Sequence, residues 1–196
     1  MKVCICGGTN PATNPKYLGF GDELGQMLCD NDIRMIWGGN AYGVLSQIHE
    51  KYQQNRKGNT LILPRRYEKD LASMKAERVI MTDSLFDRMA KMFHLTNVVL
   101  FLPGGIGTMF EFWSALECKR AREYDIDIVV FNYNNFFKNQ FAHFDFINAN
   151  GFTRIGAGGA PYIMEPTSLF SVANTTQEVI YQLLEIKRRR ESAKHR

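Results

Sequence analysis

At 196 residues, with 45% hydrophobic and 22% charged residues, the chain has the size and composition of one ordinary globular domain. No apolar run nears the roughly 20 residues needed to cross a bilayer, and Met1–Cys6 is too short for a signal peptide. A membrane-spanning or secreted protein is not expected, and the cytoplasm is the expected compartment. The net charge of +4 is local: residues 187–196 carry six cations and one anion, a balance of +5 that leaves −1 for the rest. The expected organisation is one α/β domain over residues 1–186 with a basic tail over 187–196. Such a tail reads as a solvated helix end, where cations suit the helix dipole, and no nucleic-acid partner is expected from it.

Lys2–Cys6 is a buried strand running into Gly7-Gly8-Thr9-Asn10-Pro11. Tyr17, Phe20, Leu24, Met27 and Leu28 recur at helical spacing. Ile33–Trp37 is a second strand that ends at Gly38-Gly39-Asn40-Ala41-Tyr42-Gly43, and Val44, Leu45, Ile48 and Tyr52 mark the helix after it. Thr60–Leu63, closed by Pro64, and Arg78–Met81 are the third and fourth strands. Thr82-Asp83-Ser84 offers three caps for a helix whose stripe is Leu85, Phe86, Met89, Met92 and Phe93. Val98–Leu102 is the fifth strand, and Ile126–Phe131 the sixth. An aromatic-rich helix follows, then an aperiodic loop at 156–161, a short strand within Leu169–Ala173 and a final helix opened by the capping box Thr175-Thr176-Gln177-Glu178. Strands alternating with helices in this way predict a single doubly wound parallel sheet, Rossmann-like, with helices on both faces.

The stretch with most chemical content is Pro103-Gly104-Gly105-Ile106-Gly107-Thr108-Met109-Phe110-Glu111. A buried strand that ends in a glycine turn and opens a helix presents backbone N–H groups to an anion. Three such turns stand at predicted strand ends, after the first, second and fifth strands. In an open parallel sheet those ends border the ligand crevice, so nucleotide or phosphate binding is expected. None of the turns fits Gly-x-Gly-x-x-Gly, which disfavours a dinucleotide. Cys4, Cys6, Cys29 and Cys118 lack zinc-ligand or Cys-x-x-Cys spacing and read as free thiols, and the four scattered histidines predict no metal site.

The role of Glu111 is open at this level. Thr108-x-x-Glu111 has the form of a capping box. With Met109, Phe110, Phe112, Trp113 and Leu116 taken as the core face, Glu111 points away from the core. Pattern favours capping or solvent exposure, yet the same position is one turn from the anion site, where a carboxylate meets a bound sugar. Arg88, on the flank of its helix's apolar stripe, suits a salt bridge as well as a pocket wall.

The nine residues 103–111 match the Pro-Gly-Gly-x-Gly-Thr-x-x-Glu signature, and the chain resembles the LOG (LONELY GUY) family over about residues 3–185. Cys6-Gly7-Gly8-Thr9, Glu23-Leu24-Gly25, Pro64-Arg65 and Asp87-Arg88 support the resemblance. Departures are Asn40 and Ser46 in place of glycines, Phe86 in place of His, Met89 in place of Lys, and Phe112 where a second Glu is common. The resemblance implies hydrolysis of the N-glycosidic bond of a nucleoside 5′-monophosphate, such as AMP or a cytokinin riboside monophosphate, without cofactor or metal. It implies Glu111 and Arg88 as the catalytic pair. Gly104, Gly105, Gly107 and Thr108 would hold the phosphate, and Gly8, Thr9, Gly38, Gly39 and Gly43 would form the other walls. It further implies a homodimer, with the aromatic surface of helix 107–122 as a seam. Molybdenum-cofactor carrier proteins resemble the same fold and share much of the glycine signature, which leaves a non-catalytic binding module as the alternative. Amino-acid decarboxylation is not expected, because no lysine stands in a pyridoxal-phosphate context.

Overall fold

The computed structural model describes residues 1–40, 42–152 and 169–194, with only the backbone of Lys194; the predicted loop at 156–161 lies outside them. Seven strands form one all-parallel sheet: β1 (Lys2–Cys6), β2 (Arg34–Trp37), β3 (Asn59–Pro64), β4 (Arg78–Thr82), β5 (Val98–Phe101), β6 (Asp127–Phe131) and β7 (Ser171–Ala173). Their order across the sheet is β4-β3-β2-β1-β5-β6-β7. The α-helices are α1 (Gly21–Asp30), α2 (Gly43–Gln54), α3 (Leu85–Leu95), α4 (Ile106–Arg120), α5 (Lys138–Ala149) and α6 (Thr176–Lys194).

Strand side chains alternate between two cores, as a period of two requires. Val3, Ile5, Met35, Trp37, Leu61, Val98 and Leu100 pack with Leu24 and Leu28 of α1, Ile48 and Tyr52 of α2, and Val179 and Leu183 of α6. Cys4, Cys6, Ile36, Ile62, Val99 and Phe101 pack with Met92 and Phe93 of α3, Phe112, Ala115 and Leu116 of α4, and Phe144 of α5. The sheet is thus covered on both faces, which is why its strands read as continuous apolar runs. The predicted doubly wound α/β fold is the observed one.

Helix starts follow local chemistry. Ser84 caps α3 by accepting from the Asp87 amide at 3.0 Å. At α6 the Glu178 amide donates to Thr175 Oγ1 at 3.1 Å and the Asn174 amide to Glu178 Oε2 at 2.7 Å. α6 runs unbroken across residues 186 and 187. Its basic end is tied to β6: Arg189 reaches Asp127 at 2.5 Å, and Arg190 reaches Asp127 and Asp125 at 2.7 and 2.9 Å. No helix among the described residues is long and apolar enough to cross a membrane.

Two details differ from expectation. Phe86, assigned to the buried stripe of α3, is 67% exposed; Met92 and Phe93, one to two turns further on, are the residues of α3 that reach the sheet. Between β3 and β4, residues 65–73 form a 3-10 run with none of its residues buried, a segment without the periodicity that would have announced it.

Candidate active site

The chain winds outward from β1 to β4 and returns to place β5 on the other side of β1. The crevice at this reversal is where open parallel sheets bind ligands. The turns after β1 and β5 meet there, locked by a Gly8 amide donating to the Pro103 carbonyl at 2.9 Å. α4 starts at the far side of the second turn with Gly105 as N-cap and no side-chain cap. Its first amides therefore have no side-chain partner, at the end where the helix dipole is positive.

The glycines divide into two groups. A β-carbon on Gly104 would collide with the Thr108 side chain and the Gly8 amide, and one on Gly43, held at φ +69°, would stand 2.5 Å from the Gly8 carbonyl. These glycines let neighbouring turns pack. Gly105 and Gly107 meet nothing within 4 Å. Their bare α-carbons leave room beside the helix amides, as a bound anion requires.

One cavity of about 870 Å³ opens here. Gly8, Thr9, Gly38, Gly39, Arg88, Gly104, Gly105, Gly107, Thr108 and Glu111 all line it. Gly43 does not; it sits behind Gly8 and Thr9 and acts on the wall from outside. The sequence reading missed Cys6, Tyr17, Tyr67 and Met74, which also line the cavity. For Tyr67 and Met74 there was no signal, since they come from the aperiodic stretch after β3. For Cys6 there was one: strand alternation puts its side chain on the α4 face at the carboxyl end of β1.

Glu111 is neither a cap nor exposed. The helix begins at Ile106, so Thr108 is already inside it, and the buried stripe is Thr108, Glu111, Phe112, Ala115 and Leu116. Met109, Phe110 and Trp113 fall on the flanks, half-buried; counting their bulk as core is what turned the expected face. Arg88 Nη2 donates to Glu111 Oε1 at 2.6 Å, with side chains only 16% and 9% exposed. Two helices that approach from opposite sides of the reversal thus close on one buried ion pair. The guanidinium lies against Gly38, where a β-carbon would stand 2.9 Å from Nη1, and its Nε is buried without a protein partner. Burial pushes the Glu111 carboxyl above its ordinary value, while the Arg88 charge and the Cys6 thiol pull it back. The Cys6 thiol is itself raised well above its ordinary value, by its contact with Cys4, by burial and by the Glu111 charge.

Fold and cavity define an α/β protein with a cavity at the topological switch point of its sheet. The chain belongs to the LOG family: the family model described as possible lysine decarboxylase matches residues 33–182. It is 22% identical over 154 residues to a probable cytokinin riboside 5′-monophosphate phosphoribohydrolase of Oryza sativa subsp. japonica, covering 78% of this chain and 69% of that one. It is 21% identical over 155 residues to a cytokinin riboside 5′-monophosphate phosphoribohydrolase of Arabidopsis thaliana, covering 78% and 68%. It spans only 62% of a further rice relative. Among solved structures it is similar to the molybdenum cofactor carrier protein of Chlamydomonas reinhardtii (TM-score 0.62, 16% identity, 94% of this chain and 96% of that one). It is likewise similar to the molybdenum cofactor binding protein of Rippkaea orientalis (TM-score 0.64, 15% identity, 94% and 96%). At such identities these structures establish the fold and nothing further.

Proposed function

We propose that this protein hydrolyses the N-glycosidic bond of a nucleoside 5′-monophosphate, releasing the free base and ribose 5-phosphate. The observation that carries the reading is the buried Arg88–Glu111 pair in the same cavity as the open N-terminus of α4. Along an α-helix the amides of residues 106–108 and the residue at 111 are offset by roughly 5–8 Å, a ribose-sized gap between phosphate and acid. The amides around Gly105 and Gly107, with the Thr108 hydroxyl, bind the phosphate.

Breaking the glycosidic bond builds positive charge on the ribose, as in other glycoside hydrolyses. The Glu111 carboxylate stabilises that charge and orients the attacking water. Arg88 keeps the acid ionised in its buried position and fixes its rotamer. Names of the curated relatives favour the same chemistry. Decarboxylation through a lysine Schiff base is disfavoured, because no lysine lines the cavity among the described residues.

The base is adenine or a modified adenine in this reading. The test is a panel of nucleoside monophosphates analysed by chromatography for free base, with Glu111→Gln as control. Tight binding without base release from any of them would make the protein a nucleotide- or phosphorylated-cofactor-binding module instead. That second reading is favoured by one feature: Phe112, where the family commonly has a second acid, is fully buried among Phe101, Phe137, Phe144 and Phe170.

The working form proposed is a homodimer. Ile106 (91% exposed), Phe86 and the half-buried Phe110 and Trp113 present apolar surface on α3 and α4, and sedimentation equilibrium tests it. The buried free thiols Cys4, Cys6 and Cys29 suit a reducing compartment such as the cytoplasm.

A further inference from the structure

We infer that the strap of residues 65–74, between β3 and β4, is the wall of the cavity that reads the base. Tyr67 is its stacking surface, and Asp70 and Ser73 form an edge that selects a base carrying an exocyclic amine. This deepens the proposed function and rests on it, since a nucleoside 5′-monophosphate is taken as the ligand.

The sheet gives the direction. The phosphate end belongs to β5, where the uncapped N-terminus of α4 follows the glycine turn. The partner of the acid lies two strands away: Arg88 rests against Gly38, directly after β2, where a β-carbon would stand 2.9 Å from Nη1. The strand order is β3-β2-β1-β5, with neighbouring strands about 4.8 Å apart. A ligand laid from that N-terminus to the Arg88–Glu111 pair therefore runs from β5 toward β2, and the group beyond its anomeric carbon continues toward the end of β3. The strap starts there, at Arg65, directly after Pro64 of β3. Tyr67, Asp70, Ser73 and Met74 all line the cavity.

The far end of the strap is fixed. Met74 is 5% exposed, and its Sδ accepts from the Asn40 amide at 2.9 Å. At Gly39, held at φ +83°, a β-carbon would stand 2.8 Å from the same sulfur, so strap and glycine turn touch with no side chain between them. The Lys75 carbonyl accepts from His49 Nε2 at 2.5 Å and from Gln53 Nε2 at 2.8 Å, which ties the strap to α2. Residues 65–73, by contrast, include none that is buried. Arg66 stands over the Tyr67 ring, 5.1 Å from its centroid, and a planar base extends such a stack. The Asp70 carboxylate only accepts hydrogen bonds. The Ser73 hydroxyl donates its proton to the Asp70 carbonyl at 2.8 Å, which leaves its oxygen to accept. Two neighbouring acceptors suit an amino group on the edge of a base, as in adenine, and not a carbonyl.

Calorimetry tests this without turnover if the ligand is carbocyclic AMP, whose ring lacks the oxygen that shares the charge of a breaking glycosidic bond. Its analogue without the 6-amino group and ribose 5-phosphate complete the set, against wild type, Tyr67→Ala and Asp70→Ala. Both substitutions fall at exposed positions. Tyr67→Ala should weaken both carbocyclic nucleotides by about fivefold to a hundredfold and leave ribose 5-phosphate unchanged. Wild type should prefer the amino nucleotide by about tenfold, and Asp70→Ala should remove that preference.

Nucleotide affinities that neither variant changes overturn the inference, as do losses that ribose 5-phosphate shares equally or a wild type indifferent to the amine. If AMP is cleaved and the strap variants bind as wild type does, the strap assignment alone fails. If the variants behave as expected and wild type releases no base, the hydrolase reading alone fails. Absence of any binding of carbocyclic AMP to wild type removes both.

Discussion

Replacing Arg88 by leucine asks what the pair at the bottom of the cavity is worth. With both side chains more than four-fifths buried, removing one partner leaves a charge with no counter-ion, a change that costs about 3–5 kcal/mol. Leucine fills part of the volume of the arginine stem, one helical turn from Leu85 and Met92 on α3, so the electrostatic part dominates. Glu111 escapes by taking up a proton, and each unit of pKa shift corresponds to about 1.36 kcal/mol.

The sign follows from linkage. The folded-state acid is already raised above its unfolded value by burial, and without Arg88 it rises further. Its contribution is fully present below the unfolded pKa and is lost as pH climbs through the folded one, because over that window the folded state holds a proton that the unfolded state releases. The penalty of Arg88→Leu should therefore be smallest at acid pH and grow toward about 3–5 kcal/mol as pH rises. For a chain of this size that is a fall in Tm of about 10 °C or more at the alkaline end. Urea unfolding of wild type and variant at pH 5, 6, 7 and 8 reads it directly. A stability gap that stays constant over that range would show that Glu111 does not depend on Arg88 for its charge. In the double variant with Glu111→Gln the pH dependence should vanish, since no titrating acid remains to be paired.

Glu111→Gln alone should lower base release by on the order of 10²–10⁴ and should destabilise by about 3–5 kcal/mol, because it leaves the Arg88 charge buried without its counter-ion, rather than by the smaller cost of a cap; retained turnover per folded molecule would refute the role. Gly107→Ala should raise stability by about 0.5–1 kcal/mol, because the site is helical and open, while weakening AMP affinity in calorimetry. Gly104→Ala should do the reverse to stability, since its β-carbon has no space between Thr108 and Gly8, and thermal melts separate the two. Truncation after Ile186 removes the Arg189 and Arg190 bridges to Asp127 and Asp125 and should lower Tm without altering AMP affinity.

Much of this fold was legible because its information is local. Fully buried parallel strands are short apolar runs, and here glycine or proline ends those that enter the site. Ser84 and Thr175 were readable as caps because a cap needs only its own next turn. The site was legible only in its backbone half. That Gly105 and Gly107 differ in purpose from Gly104 and Gly43 is invisible in a string of glycines, since it depends on whether another turn stands against the α-carbon. The face of α4 was misjudged for a related reason. Apolar bulk at Met109, Phe110 and Trp113 outweighed the polar Thr108 and Glu111 in the pattern, although those two are the ones buried. A charged residue reads as core only once its partner is known, and Arg88 lies 23 residues earlier, on a helix that follows the strand at the sheet's far edge.

The same dependence bears on why a buried ion pair stands in the wall of this crevice. A buried ion pair is a poor source of stability, and apolar residues of similar volume often serve the fold as well. Under the proposed function the pair has a purpose that stability does not supply: the acid is ionised, desolvated and aimed before a ligand arrives. That is the condition under which an acid stabilises developing positive charge without reorganising at the moment of reaction. The open amides of α4 and the buried acid lie on one helix, so the distance between phosphate and carboxylate is set by helix geometry rather than by a flexible loop. Under the proposed function, a ligand whose phosphate seats at that N-terminus presents the same carbon to Glu111 whatever base it carries, and discrimination among bases falls to the rest of the lining, Tyr17 and Tyr67 among it.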